Sequence, residues 1–268
     1  MELAGAHVIV TGAARGIGAA LARRFHAAGA RVVVADILDA SEVVGDLEGA
    51  IGIVADVSTQ LGNVALIDAA EATFGPVDLF FANAGVAVGV DLTTSEDDWA
   101  LAFDVNVNAH RWAAARLLDG WLERGQGYFC STASAAGLLA QVGSAPYTLT
   151  KRAAVAFAEW LSITYGDRGI RVSCLCPQGV NTAMLQISLG GGTDVVKASG
   201  AVLEPDDVAG LTALAIAEER FLVLPIPRCT TMPCARPPTS SDGWPACAGS
   251  TRGSPVPPGS SCRYGRGL

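Results

Sequence analysis

Up to about residue 224 the chain alternates short, unbroken apolar runs with longer Ala- and Leu-rich stretches, and that alternation limits the fold more than any other feature. "HVIVTG" precedes a periodic segment at 17–28, "RVVVAD" one at 38–47, "AIGIVADV" one at 61–74, and "VDLFFANAG" a predicted helix over about 95–121. "GYFCSTAS", "RVSCLCP" and "RFLVLP" supply three further strands. A strand with one wet face alternates apolar and polar residues; these do not, so the sheet is covered on both sides. Regular strand–helix alternation in turn implies parallel pairing. The expected architecture is a doubly wound α/β fold with a seven-stranded parallel sheet and helices on both faces. Helix starts agree: Ser95 is followed by Glu96, Asp97 and Asp98, and Pro205 by Asp206 and Asp207, which places hydroxyl, proline and acids where a first turn favours them.

Composition narrows the class. Half the residues are apolar and 16% are charged, enough for a large core. A net charge of −8 disfavours nucleic acid, which needs a basic face, and no apolar run reaches membrane-spanning length. Met1 to Gly5 run straight into the first strand without a leader, so the expectation is a cytoplasmic protein. Cys130, Cys174 and Cys176 lie in apolar runs and read as buried thiols.

The regime changes near Pro225. Residues 225–268 hold nine of the thirteen prolines, four of the seven cysteines and a single acid, Asp242, with no helical or strand period. The domain is therefore expected to end at 224, with a lid over about 183–204. The tail reads as a disordered segment or, preferably, as the product of a shifted reading frame. Zinc is disfavoured because Cys229, Cys234, Cys247 and Cys262 form no C-x-x-C pair, so no metal site is expected.

The first strand enters Thr11-Gly12-Ala13-Ala14-Arg15-Gly16-Ile17-Gly18 and then a helix. Glycines there allow a tight turn and let backbone amides approach a pyrophosphate at the positive end of a helix. Asp36 ends the second strand, where a carboxylate accepts hydrogen bonds from an adenosine ribose and repels a 2′-phosphate. That favours NAD over NADP, although Arg15 would suit the phosphate. Further on, Tyr147 and Lys151 stand four residues apart, one helical turn, with side chains on the same face.

Together, T-G-x-x-x-G-x-G at 11–18, Asn83-Ala84-Gly85, Asn106 in "DVNVN", Ser134 and Tyr147-x-x-x-Lys151 resemble the short-chain dehydrogenase/reductase family over roughly residues 5–224, with a Rossmann-type domain. Ser134 lies thirteen positions before Tyr147, the family's spacing; Ser131 and Thr132 do not fit it. The resemblance implies hydride transfer between NAD and an alcohol or carbonyl compound. Tyr147 would be the acid/base, Lys151 would lower its pKa and grip the nicotinamide ribose, Ser134 would bind the substrate oxygen, and Asn106 would hold a relay water. It also implies cofactor contacts at Thr11, Gly12, Arg15, Gly16, Ile17, Gly18, Asp36, Asp56, Val57, Asn83, Ala84, Gly85, Tyr147, Lys151, Pro177, Gly179, Val180 and Thr182, and a homodimer or homotetramer. Gln178 stands where the family usually has glycine, so Gly179 is expected to take the permissive dihedral.

Met184, Leu185, Ile187 and Leu189, with Leu138, Leu139 and Val142, suggest an apolar substrate pocket, and Gly190-Gly191-Gly192 a hinge. The alternative from another class is a non-catalytic NAD(P)-binding sensor or scaffold of the same fold. Carbon–carbon or sugar-nucleotide chemistry on this scaffold is a third reading.

Overall fold

A computed structural model describes residues 1–187 and 202–225. They belong to the first of two compact units, Met1–Arg228. The expected tail and the glycine triplet at 190–192 lie outside the described residues, as does Leu189. Seven parallel strands form one sheet: β1 (His7–Thr11), β2 (Arg31–Asp36), β3 (Ile51–Val54), β4 (Leu79–Ala82), β5 (Gly127–Thr132), β6 (Ile170–Leu175) and β7 (Leu222–Val223). Seven parallel strands are what the unbroken apolar runs predict, and their order is β3-β2-β1-β4-β5-β6-β7.

Alternate residues of each strand feed opposite faces. In β1, Val8 and Val10 join a core with Leu21, Phe25, Val32, Val34 and Ile216, while Ile9 joins a second core with Leu66, Phe80, Leu117, Phe129 and Leu161. The first core is covered by α1 (Gly16–Ala27) and α8 (Pro205–Ala217), and the second by α3 (Gln60–Phe74), α5 (Ala109–Arg124) and α6 (Ala145–Tyr165). Among the described residues the remaining α-helices are α2 (Ser41–Gly45), α4 (Glu96–Phe103) and α7 (Ala183–Ile187). No helix among the described residues is long and apolar enough to cross a membrane.

Two helices differ from expectation. The segment at 38–47 yields only Ser41–Gly45, because side chains capture the backbone before it: Asp36 accepts from Leu38 N and Asp39 from Ser41 N. The long helix predicted over 95–121 runs without a gap from Glu96 to Arg124, but carries a π turn at Asp104–Asn108 between α4 and α5. The chain order reverses between β1 and β4, which opens a crevice at the carboxyl ends of these strands.

Candidate active site

The glycine turn sits at the mouth of that crevice. Gly12 has φ +64°, and a Cβ there would come within 2.7 Å of Ala84 Cα. At Gly18 a Cβ would lie 2.1 Å from Gly12 O, so the turn has no room for a side chain and exposes backbone instead. Arg15, exposed, precedes the helix that starts at Gly16, and among the described residues it has no ion pair. Ile17 is half-buried against the first core. Asp36 is pinned: one carboxylate oxygen accepts from Ala14 N at 2.9 Å and the other from Leu38 N at 3.0 Å. Asp56 is exposed and accepts from Ser58 N, and Val57 beside it is buried.

Asn83 follows β4 and ties three strand ends together. Its Nδ2 donates to Thr11 O at 2.9 Å and Gly12 O at 3.2 Å, and its Oδ1 accepts from Thr132 Oγ1 at 3.0 Å. The Thr11 hydroxyl in turn accepts from the amides of Asn83 and Ala84. The Asn83 side chain is thus occupied in bracing strands, and what it leaves facing the crevice is backbone. Gly85 continues the floor: a Cβ there would lie 3.2 Å from Asn106 Oδ1 and 3.3 Å from Lys151 Nζ.

Tyr147 and Lys151 lie in the first two turns of α6, whose second residue is Pro146, where a missing N–H costs nothing. Lys151 is buried, and its ammonium donates to Thr132 O at 2.8 Å while standing 5.6 Å from the centre of the Tyr147 ring. Burial pushes the Lys151 pKa down to about 8. The phenol departs from expectation. Burial raises its pKa, a hydrogen bond with Ser134 lowers it in part, and Lys151 is not among the causes. The ammonium is held on the Thr132 carbonyl, over the ring, so desolvation wins in the absence of a bound cation at the phenol.

Asn106 is fixed from two sides. Its amide is committed to structure: Nδ2 donates to Val86 O and Thr150 Oγ1, and Oδ1 accepts from Val86 N. The side chain therefore has little capacity left for a water and works as a clamp between the Gly85–Val86 floor and α6. Ser134 opens a short 3-10 turn, and its hydroxyl accepts from Ala136 N.

After β6, Pro177 O accepts from Ala135 N, which holds the loop beside Ser134. Val180 bridges Leu203, Gly179 O accepts from Leu203 N, and Thr182 Cγ2 lies 3.2 Å from a Cβ built at Gly16. The loop thus returns to the glycine turn. Gly179 is not among the glycines with positive φ, contrary to expectation; its carbonyl is instead engaged by Leu203 N. Leu139 and Val142 are exposed near Ser134, and Met184 is partly exposed.

Three contributors escaped the sequence reading. Thr132, set aside on spacing, holds Lys151 through its carbonyl and Asn83 through its hydroxyl. Thr150 anchors Asn106, and its position three residues after Tyr147, on a neighbouring helical face, was the available signal. His110, buried below the site, has no distinguishing motif.

The short chain dehydrogenase family model matches residues 6–189. The chain belongs to the short-chain dehydrogenase family. It is an oxidoreductase of that family, and its relatives include named dehydrogenases. Momilactone A synthase of Oryza sativa subsp. japonica is 33% identical over 234 residues, covering 81% of this chain and 85% of the rice protein. 3beta-hydroxysteroid dehydrogenase 1 of Eggerthella lenta is 32% identical over 236 residues, covering 83% and 90%. Among solved structures, a short-chain dehydrogenase/reductase from Burkholderia phymatum in complex with NAD superposes with a TM-score of 0.76 at 31% identity, covering 84% of this chain and 90% of that one. A 3-ketoacyl-(acyl-carrier-protein) reductase from Brucella melitensis complexed with NADH gives 0.77 at 26% identity, covering 83% and 97%.

Proposed function

We propose that this short-chain dehydrogenase interconverts an apolar secondary alcohol and its ketone with NAD, using Tyr147 as the acid/base. The observation that carries the reading is the convergence of Tyr147, Lys151 and Ser134 at the strand ends beside a glycine turn too tight for side chains.

The residues fit a dinucleotide. Gly12, Gly16 and Gly18 would take the pyrophosphate on backbone amides, and Asp36 the adenosine ribose. The preference for NAD rests on Asp36: a carboxylate pinned by two backbone amides cannot swing aside for a 2′-phosphate. When bound, the nicotinamide accepts or returns the hydride. During alcohol oxidation Tyr147 takes the hydroxyl proton as the hydride leaves carbon; during ketone reduction it returns that proton. Ser134 would donate to the substrate oxygen, and Lys151, charged, would grip the nicotinamide ribose and favour phenolate together with the positive charge of a bound oxidised nicotinamide. The apolar preference draws on Leu139, Val142 and Met184.

A cytoplasmic location belongs to the same reading and is supported by the free thiols of Cys130, Cys174 and Cys176, as a reducing compartment keeps them. Self-association belongs to it as well, through the outward face of α6, where Trp160 and Ile163 are exposed.

The test is NADH formation over a panel of secondary alcohols. The parent is expected to turn over, and Tyr147→Phe to lose at least about a hundredfold in rate while binding NADH normally. Cofactor binding without turnover in the parent would favour the sensor or scaffold reading.

A further inference from the structure

His110 lies one residue into α5, just after the π turn at Asp104–Asn108. A π turn holds an extra residue and so changes which face the following residues present. Here Asn106 and His110 are both buried. His110 Nδ1 pairs with Ser131 Oγ at 3.1 Å, and its ring meets Phe129 edge-on at 6.3 Å. Its other nitrogen, Nε2, is buried without a hydrogen-bond partner. Such atoms are uncommon, and a polar interior site of this kind is commonly satisfied by an internal water.

The nearby charge is Lys151: His110 is held by Ser131 and the ammonium by the carbonyl of Thr132, the next residue of β5. Burial first, and that ammonium second, push the His110 pKa down to about 3. Both effects favour the neutral ring, which acts as a fixed hydrogen-bonding group. Beside a cation, the favoured tautomer keeps the proton on Nδ1, donated to Ser131, and leaves the Nε2 lone pair as acceptor. Lys151 has donors to spare, since an ammonium has three and one is committed to Thr132 O. The other titratable groups acting on it are Cys174 and Cys176, with Tyr147 on its own helix.

We propose that His110 is a positioning residue, whose Nε2 accepts through an internal water from the Lys151 ammonium and so keeps that buried lysine charged and aimed at the crevice. The role of that charge in turnover rests on the dehydrogenase reading; the hydrogen-bonded link itself does not.

The experiment therefore reads the lysine directly. The chain has two lysines, Lys151 and Lys197, so a full-length protein labelled with 13C-lysine gives two signals, assigned with Lys151→Met. Lys151 in the parent is expected to titrate near 8 without cofactor. Loss of an acceptor for the charged form should bring the midpoint down by about one pH unit in His110→Phe. His110→Gln, whose amide reaches the Nε2 position, should recover it to within about half a unit. His110→Asn, which copies only Nδ1, should follow the phenylalanine variant, and it carries the comparison if that variant does not fold by near-UV circular dichroism. Equal midpoints in parent, asparagine and glutamine variants overturn the proposal and leave the dehydrogenase reading untouched. A midpoint that falls in His110→Asn and recovers in His110→Gln, in a parent that forms no NADH, keeps the link and removes the reading.

Discussion

Asn83→Asp tests whether the Asn83 side chain acts as a brace. The substitution preserves shape and replaces an amide that donates to Thr11 O and Gly12 O with a carboxylate that can only accept. Two hydrogen bonds worth about 1 kcal/mol each are lost, so the loss is at least about 2 kcal/mol, with repulsion from the two carbonyls adding to it. For a domain of this size that corresponds to about 4–8 °C in Tm. The deficit should depend on pH in a defined direction. Facing two carbonyls, the new carboxyl has a folded pKa above its unfolded value of about 3.9, and its protonated form can still donate one bond. Stability is therefore retained at low pH and lost as pH rises through the folded pKa. Thermal unfolding of parent and variant at pH 5 and pH 8 reads both quantities. A variant that melts within about 2 °C of the parent at pH 8, or whose deficit is greater at pH 5, would refute the assignment of Asn83 as a donor to these carbonyls.

Lys151→Met should be more stable than the parent at pH 7. The buried lysine titrates near 8 when folded and 10.5 in its ordinary state, so folding disfavours its charged form, and parent stability rises as pH climbs through that window. The variant's advantage, no more than about 3 kcal/mol, should vanish above that window, as measured by denaturant unfolding at pH 7 and 10.5. Asp36→Ala should narrow the preference for NADH over NADPH by about tenfold or more in fluorescence titration; an unchanged ratio would remove Asp36 from cofactor choice. Trp160→Glu with Ile163→Glu should shift an assembled chain toward monomer by light scattering, and an unaltered mass would place any self-association elsewhere.

The sheet was readable because its strands are apolar on both faces, and a residue such as Ile9 or Val10 has no other place to go than one core or the other. The glycine turn was readable for a similar reason: Gly18 sits where any Cβ would strike Gly12 O, and only composition can record that. What stayed hidden depends on how individual donors and acceptors are allotted. Asn83 and Asn106 stand where the motifs predict, yet no spacing shows that their amides are already committed to Thr11, Gly12, Val86 and Thr150. The sign of the Tyr147 perturbation was missed because it is set by burial against the distance of an ammonium, and a four-residue interval fixes neither. The π turn in "DVNVN" has no sequence mark of its own, so the exposure of His110 to Lys151 could not be anticipated.

The strand order has a consequence for synthesis. β1, an interior strand, leaves the ribosome before the other six and can pair with β2 soon afterwards, but its other neighbour is β4, with Val8 set against Leu79 and Val10 against Phe81. Until that partner emerges, the nascent chain presents one open strand edge with three apolar residues at its centre, the kind of surface that recruits chaperones or misassembles with a second nascent copy.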